Sequence, residues 1–329
     1  MVAGTIDVSD GTPYIRPFSP ARDLADLAAL IEAAFGPELS LMGNNVVRDM
    51  RRMAALGPLL HLSPLVMPFF SGYVWVQDGH VVGNTSINLV RSARATWSVS
   101  NVAVLPEYRG QGIATHLLDT ALDHIRRCHG MRVLLQVRTD NEIAKGLYER
   151  RGFEKYDTLH EIELAAHNWP LIMGAPRGVT RGIRARDQRP LYDLVVAGTP
   201  REVLLREPVH AANYRRGLGW LLKQSVQMAF SGEQYYERVA EVDGRLVAYG
   251  RMIANLLQGP YDLALYVHPE HRGEWELIIA EAILWAVDSI PHRRVRTRVS
   301  GAHPEARETL DRLGFRTLRV LDQMSYDIG

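Results

Sequence analysis

The chain has 329 residues, 38 basic and 37 acidic side chains, and a formal net charge of +1. Hydrophobic residues make up 47% and charged residues 23%, which is typical of a globular protein with room for two domains. The balanced charge argues against a nucleic acid or an anionic membrane as partner. No apolar run reaches the length of a membrane span, so we expect a cytoplasmic protein.

Cysteine and arginine usage narrows the function classes further. Cys128 is the single cysteine, which excludes an internal disulfide and a multi-cysteine metal site, and we expect no metal. The densest basic cluster is 292–298, where Arg294, Arg296 and Arg298 would share one face of a strand. We interpret it as a solvated strand face and not as a nucleic-acid site.

A glycine-rich turn between a predicted strand and a predicted helix is the most informative feature. The β-branched segment 98–104 predicts a strand, and the apolar spacing of 113–125 predicts a helix. Gly110 and Gly112 lie between them and bring no side chain to the turn. Backbone N–H groups at a helix N-terminus favour an anion, so the sequence predicts a cradle for a pyrophosphate.

The type of cradle follows from what surrounds the glycines. Thr115 stands where a dinucleotide-binding turn needs a third glycine or alanine, and no acid ends the next strand. The Gly-Lys-Ser/Thr of a P-loop is also absent. The hexapeptide 109–114, Arg-Gly-Gln-Gly-Ile-Ala, resembles instead the acyl-CoA signature of the GNAT N-acyltransferase superfamily.

The resemblance is continuous from Thr96 to Leu164. A predicted strand at 132–138 is followed by Asn141, then by a helix at 142–151 that carries Tyr148, then by Gly-Phe and a further strand at about 158–164. This order is that of the superfamily. The resemblance implies an α/β fold with a central mixed sheet flanked by helices.

The second half of the chain repeats the first. Tyr-Ile-Arg-Pro at 14–17 is echoed by Gly-Ile-Arg-Ala at 182–185, and the Asp-Gly hairpin of 74–83 by that of 238–248. The segments 104–110 and 147–153 return at 267–273 and 309–315. Four elements in one order indicate duplication. We predict two tandem GNAT-like domains, residues 1–175 and 176–329, with a linker near 167–182.

The second copy has lost the residues that carry the resemblance. Trp275 stands at the position of Gly112, Leu277 at that of Ala114 and Leu310 at that of Tyr148, while the Asn141 position falls near His303. We expect the second domain to be structural or to shape the acceptor site, without a second acyl-CoA.

The resemblance implies direct transfer of an acetyl group from acetyl-CoA, as co-substrate, to a primary amine. Tyr148 would be catalytic, giving a proton to the departing thiolate, although a packed aromatic residue is an alternative. Asn141 would contact the pantetheine arm, cap the following helix, or do both. The residues implied to bind acetyl-CoA are Val102, Ala103, Val104, Arg109, Gly110, Gln111, Gly112, Ile113, Ala114, Thr115 and Asn141.

The general base and the acceptor are less well marked. Gln136 stands where some family members carry a carboxylate, and it cannot take a proton. Glu38 and Asp49 are candidates for a more distant acid acting through water, although each is more typical of a solvated surface charge. The apolar segment 36–71 favours a small amine with an apolar part. The alternatives are a protein lysine or N-terminal acetyltransferase and a non-catalytic acyl-CoA-binding module. Either a monomer or a homodimer is expected.

Overall fold

A computed structural model describes residues 12–41, 47–48, 50–51, 71–172, 174, 179–217, 232–257 and 259–328. The chain divides into two compact units. Unit 1 consists of residues 1–136, 143–154 and 324–329, and unit 2 of residues 137–142 and 155–323. Asp49 and most of the segment 36–71 lie outside the described residues, as does the side chain of Glu38.

Unit 1 is a mixed sheet with helices packed on it, as predicted. Its strands lie in the order β1-β2-β3-β4-β5, antiparallel except for the parallel pair β4/β5. The strands are β1 (Tyr14–Pro17), β2 (Gly72–Gln77), β3 (His80–Leu89), β4 (Thr96–Val104) and β5 (Arg132–Arg138). The helices are α1 (Pro20–Leu41), α2 (Ile113–Arg127) and α3 (Glu142–Glu149).

Local sequence explains where these elements begin and turn. Asp78 (φ 51°) and Gly79 (φ 81°) make the β2–β3 turn, because two positive φ values match the twist of a tight hairpin. Asp23 in the first turn of α1 accepts a hydrogen bond from the Ser19 N–H (2.7 Å) and pairs with Arg16 of β1 (2.5 Å). This carboxylate therefore caps α1 and ties it to the sheet.

Two hydrophobic layers hold unit 1 together. On one face, α1 packs on β2 and β3 through Leu24, Leu27 and Leu30. On the other, Ile113 and Leu117 of α2 join a cluster with β3 and β4. Gly83 makes this second contact possible, because a Cβ there would lie 2.9 Å from the Ile113 side chain. The glycine thus brings α2, and the turn before it, close to the sheet.

Unit 2 repeats this architecture. Its strands lie in the order β12-β6-β11-β10-β9-β8-β7. They are β6 (Glu154–Leu164), β7 (Thr180–Arg181), β8 (Glu233–Val242), β9 (Arg245–Asn255), β10 (Tyr261–Val267), β11 (Val295–Ser300) and β12 (Arg316–Asp327). The helices are α4 (Gln188–Gly198), α5 (Arg201–Leu204), α6 (Glu276–Ala286) and α7 (Pro304–Arg312). Arg296 and Arg298 of β11 pair with Glu163 and Glu161 of β6 (2.8 and 3.1 Å).

Strand register aligns the two repeats residue by residue. Arg16 lies opposite Val74 in β2, and Arg181 lies opposite Val239 at the matching position of β8. Both hairpins also shift register at the same place, after Trp75 and after Ala240. Arg181 pairs with Asp187 (2.6 Å) as Arg16 pairs with Asp23. The alignment of the two repeats by sequence matched Arg184 to Arg16. The strand register matches Arg181 to Arg16 instead, so that alignment was shifted by three residues at this element.

Each unit takes its last strand residues from the other repeat. β6 follows α3 in the chain but belongs to unit 2, where it pairs antiparallel with β11 from Val295↔Leu164 to Ser300↔Leu159. Residues 324–328 at the end of β12 belong to unit 1, where the Ile328 N–H donates to the Met131 carbonyl (2.8 Å). These units divide the chain at other places than residue 176, and the division at 176 stays a prediction about where the repeats meet.

Candidate active site

A bulge in β4 shapes the centre of the candidate site. Asn101 has a φ of 51° and interrupts the register between β3 and β4. Asn84 of β3, only 2% exposed, donates from its side-chain amide to the Asn101 carbonyl (3.1 Å), and the Asn101 amide donates to the Ser86 hydroxyl (3.3 Å). The extra residue of a bulge bends a strand and re-aims its backbone. Asn84 and Ser86 were not predicted as site residues, although a buried asparagine within a strand is an available signal.

β4 leaves its parallel neighbour soon after it begins. Pairing with β5 covers Thr96↔Arg132 to Ser98↔Leu134, and β4 continues to Val104. The strands therefore diverge before Val102, Ala103 and Val104, the residues implied to bind the pantetheine arm. Ala103 and Val104 have buried side chains, so only their backbone groups are suited to contact a ligand. The Val104 carbonyl already accepts a hydrogen bond from Nε of Arg109 (3.2 Å).

The glycine turn has the open geometry that a phosphate cradle requires. Gly110 (φ 79°) and Gly112 (φ 77°) both adopt left-handed backbone conformations, which side chains disfavour. A Cβ at Gly110 would meet no atom within 4 Å, and one at Gly112 only the His116 ring at 3.9 Å. Gly112 is the N-cap of α2 and no side chain caps this helix. The residues of the turn thus fit a pyrophosphate at the helix N-terminus.

The flanking residues divide by exposure. Arg109 and Gln111 are exposed, and Ala114 and Thr115 are half-buried in the first turn of α2. Ile113 is 2% exposed and packs in the core, so its backbone N–H is the group that it offers. Arg109 joins the turn to the end of β4 through the hydrogen bond to Val104.

Tyr148 lies in the last turn of α3, in unit 1, and is 7% exposed. Burial raises the pKa of its phenol to about 12, so the group keeps its proton across the physiological range. Its ring meets that of Phe153 edge-on at 5.8 Å. Burial thus keeps the phenol protonated but also makes it a weaker acid, and the edge-on packing fits a structural residue as well.

Comparison with known proteins identifies the region that carries this geometry. The model of the acetyltransferase (GNAT) family matches residues 49–153. This region belongs to the GNAT family. The match includes the bulged β4, the glycine turn and Tyr148, and so confirms the resemblance of the sequence.

Curated relatives of the GNAT region include enzymes with different acceptors. The chain is 39% identical over 66 residues to N-alpha-acetyltransferase 30 of Schizosaccharomyces pombe, covering 20% of this chain and 44% of that protein. It is 29% identical over 153 residues to mycothiol acetyltransferase of Streptomyces griseus, covering 46% of this chain and 44% of that protein. The chain spans about half the length of the curated relatives it matches.

A solved structure matches along the whole chain. It is a tandem GNAT protein from the clavulanic acid biosynthesis pathway, with a TM-score of 0.57 and 17% identity, covering 97% of this chain and 99% of that chain. At this identity the likeness concerns the fold alone. It agrees with the two GNAT-like sheets and confirms the tandem arrangement that the sequence predicts.

The second GNAT-like turn is closed by a side chain of its own unit. Trp275 has a φ of −110° where Gly112 has 77°, and the next residue, Glu276, is 1% exposed. The Glu276 carboxylate accepts the Gly273 N–H (2.8 Å) and lies 2.8 Å from Nε2 of His303. Burial opposes ionisation, but these hydrogen bonds prevail and lower the pKa of Glu276. A carboxylate thus occupies the N-terminus of α6.

The second copy also lacks the bulge. β9 and β10 pair without a register shift from Asp262↔Ile253 to Val267↔Ala248, where β3 and β4 contain the extra residue. The guanidinium of Arg272, the counterpart of Arg109, donates to the carbonyls of Ala302 (2.8 Å) and Gly198 (3.2 Å). Both features of the GNAT site are therefore changed in unit 2.

The remaining predicted residues are placed as follows. Asn141 precedes α3, and its N–H donates to the Arg138 carbonyl (3.0 Å); it belongs to unit 2, so its role toward the cradle stays a prediction. Gln136 is exposed on β5.

Within the described residues, no group of three His, Cys, Asp or Glu side chains is placed to hold a metal. No helix in the described ranges has the length and apolar character to cross a membrane.

Proposed function

We propose that the chain is an acetyl-CoA-dependent N-acetyltransferase whose unit 1 transfers the acetyl group directly to a primary amine of a small molecule. The observation that carries the proposal is the course of β4, which bulges at Asn101, leaves β5 and runs into a glycine turn at an uncapped helix. Acetyl-CoA, when bound, supplies the acetyl group in activated form as a thioester.

In this proposal the backbone does most of the binding. The N–H groups of the turn 110–115 hold the pyrophosphate, since they lie at the positive end of α2. The backbone of 102–104, free of β5, pairs with an extended ligand arm, and one of its N–H groups polarises the reacting carbonyl. Tyr148 keeps a proton on its phenolic oxygen for the leaving sulfur.

The face of β3 and β4 beside the bulge explains how the acceptor must arrive. Asn84, Ser86, Ser98, Ser100 and Asn101 are polar but do not ionise near neutral pH. These side chains can orient an amine by hydrogen bonds and cannot take its proton. Among the described residues this face therefore offers no base, and in this proposal the acceptor binds as the free base or gives its proton to water.

A protein N-terminus is the second candidate acceptor. It is favoured by the name of the relative from Schizosaccharomyces pombe, an N-alpha-acetyltransferase. The name of the Streptomyces griseus relative, mycothiol acetyltransferase, favours the small molecule instead. Both acceptors present a primary amine, so the same residues would serve either.

Calorimetric titration of acetyl-CoA tests the cradle. We expect one equivalent to bind the wild type and Gly112→Trp to abolish binding, because an indole would stand where the pyrophosphate lies. Gly79→Trp is the matched control, since Gly79 has a similar φ of 81° and open surroundings in the hairpin turn. Loss of binding in both variants, or no binding by the wild type, would overturn the proposal. Two equivalents would show that Glu276 does not close the second turn.

Release of free CoA identifies the acceptor class. The wild type is incubated with acetyl-CoA and one acceptor at a time. The acceptors are small primary amines, peptides with a free N-terminus, and N-terminally blocked peptides containing lysine. We expect turnover with small amines. Turnover only with peptides would transfer the proposal to protein acetylation, and binding without turnover by any acceptor would indicate a non-catalytic module.

A further inference from the structure

Unit 2 contains a group of polar side chains that the proposed acetyl transfer does not use. They lie on the sheet face opposite the main core of unit 2, which is built from Met252, Leu263 and their neighbours. Because side chains alternate along a strand, the residues between these core positions share the other face. We call this group the Arg251 site; it consists of Tyr214, Tyr249, Arg251, Asp262, Ala264 and Tyr266.

Strand register places the members of the Arg251 site side by side. Tyr249 lies opposite Tyr266, and Arg251 lies opposite Ala264. Asp262 precedes Ala264 by two residues in β10. The rings of Tyr249 and Tyr266 stack at 5.9 Å. Ala264, opposite Arg251, brings only a methyl group to this face. The site thus has tyrosines at one end, a carboxylate at the other and a guanidinium between them.

One end of the Arg251 site is closed and the other is open. Leu191 and Leu194 of α4 pack with Tyr214 and Tyr249, which are 8% and 0% exposed. Asp262 is exposed to solvent, yet burial among neighbouring atoms raises the pKa of its carboxyl. Asp262 thus presents its carboxylate at the exposed end of the site.

Arg251 has no charge partner in the part of the chain that the structure describes. Its Nε is buried without a hydrogen bond, and its charge feels Asp262 and three tyrosines only at longer range. Glu237, opposite Arg251 on β8, is already bound by Arg216 (2.6 Å) and by the Tyr249 hydroxyl (2.5 Å). A ligand carboxylate on the terminal nitrogens of the guanidinium would supply the charge partner that the described residues do not give it.

We propose that the Arg251 site binds a small zwitterion of the α-amino-acid class, its carboxylate on Arg251 and its ammonium on Asp262. Arg251 offers the planar fork that a carboxylate prefers, and the hydroxyls of Tyr214 and Tyr266 add donors. Asp262 supplies the opposite charge at the solvent end. The site takes all of its residues from unit 2, so the proposal stands whether or not unit 1 transfers acetyl groups.

Equilibrium dialysis of the full chain with radiolabelled L-phenylalanine tests this. Phenylalaninamide and 3-phenylpropionate are the matched competitors, because each lacks one of the two charges. We expect both to compete at least about tenfold more weakly than unlabelled phenylalanine, and Arg251→Gln and Asp262→Asn each to weaken binding about tenfold or more. Arg245→Gln, an exposed position on the same strand, should leave binding unchanged.

The outcomes separate clearly. If Arg251→Gln fails to fold, as judged by circular dichroism and thermal unfolding, Asp262→Asn at its exposed position still decides the test. Competition by 3-phenylpropionate as strong as that by phenylalanine would overturn the zwitterion assignment. No binding by the wild type at millimolar phenylalanine, or binding indifferent to both variants, would overturn the site.

Discussion

At the scale of single residues, Tyr148 shows how burial fixes the protonation state of a side chain. Its phenol is 7% exposed, and burial alone raises its pKa to about 12. A group with so high a pKa holds its proton through any physiological change of pH and cannot act as a base. Its counterpart Leu310 is fully buried and receives the same backbone contact, from Phe315, that Tyr148 receives from Phe153 (3.0 and 3.1 Å). The packing position is thus retained and the hydroxyl is lost.

Removing that hydroxyl tests its role. We expect Tyr148→Phe to lower kcat by about 10²-fold or more, the usual contribution of a general acid, and to leave the Kd of acetyl-CoA unchanged. Tyr326→Phe is the matched control, because Tyr326 also packs against Phe153, at 5.5 Å. Equal kcat values in the two variants, measured by CoA release, would reduce Tyr148 to a packing residue.

The pH profile carries independent information about both proton transfers. Since the polar residues beside the bulge do not ionise, we expect kcat/KM to rise with the free-base fraction of the amine, tenfold per pH unit below the amine's pKa. Tyr148 stays protonated up to its pKa of about 12, so no falling limb is expected below about pH 10. Amines of different basicity should shift the rising limb accordingly. A rising limb fixed at one pH for all amines would reveal an ionising base.

At the scale of elements, the bulge in β4 depends on a partner in the neighbouring strand. Asn101 tolerates a positive φ better than most residues, but the sequence of β4 alone does not indicate where its register shifts. The shift is stabilised by Asn84, which reaches the Asn101 carbonyl from β3. A feature that needs two strands to be paired first is not predictable from either strand by itself.

Truncating Asn84 should therefore affect stability and activity together. We expect Asn84→Ala to lower the free energy of unfolding by about 1–3 kcal/mol, because it leaves a carbonyl in the bulge without its donor. Its kcat/KM should fall as the backbone of 102–104 relaxes. Urea unfolding and CoA release measure the two effects, with His80→Ala, at the exposed first position of β3, as the control. Loss of stability without loss of activity would separate Asn84 from the site.

Much of the element pattern was predictable from local sequence, and the exceptions are non-local. The predicted helix at 113–125 and strand at 132–138 correspond to α2 and β5, because apolar periodicity and turn residues fix them locally. The sequence also predicted that the second turn, with Trp275 at the position of Gly112, binds no acyl-CoA. It did not show that the Glu276 carboxylate would accept from the Gly273 N–H and also contact His303. The contact with His303 joins residues 27 positions apart in the sequence.

At the scale of the whole molecule, the two repeats of the sequence and the two compact units of the structure do not have the same boundaries. β6, which the sequence assigns to the first domain, pairs with β11 in unit 2. β11 has β10 on its other side, so a second half without β6 would expose an unpaired strand edge inside a hydrophobic core. We therefore expect the position of a cut between the repeats to decide whether unit 2 folds.

Two fragments that differ only in β6 test this. We expect residues 154–329 to unfold cooperatively in urea, and residues 176–329 to lack a cooperative transition, because only the longer fragment carries the partner of β11. Circular dichroism and size-exclusion chromatography of both fragments provide the measurement. Equal stability of the two would show that β6 is dispensable to unit 2 and that residue 176 is the boundary of folding as well as of sequence.

The contribution of residues 324–328 to unit 1 has a consequence for synthesis on the ribosome. The rest of unit 1 ends at residue 154, yet the strand segment that bonds to Met131 is translated much later. At 5–20 residues per second, roughly 10–35 s separate the two events. During that interval the backbone beside Met131 lacks its partner and is open to chaperones or to wrong pairing. We therefore expect unit 1 to gain its last hydrogen-bonded segment only after β12 has been translated.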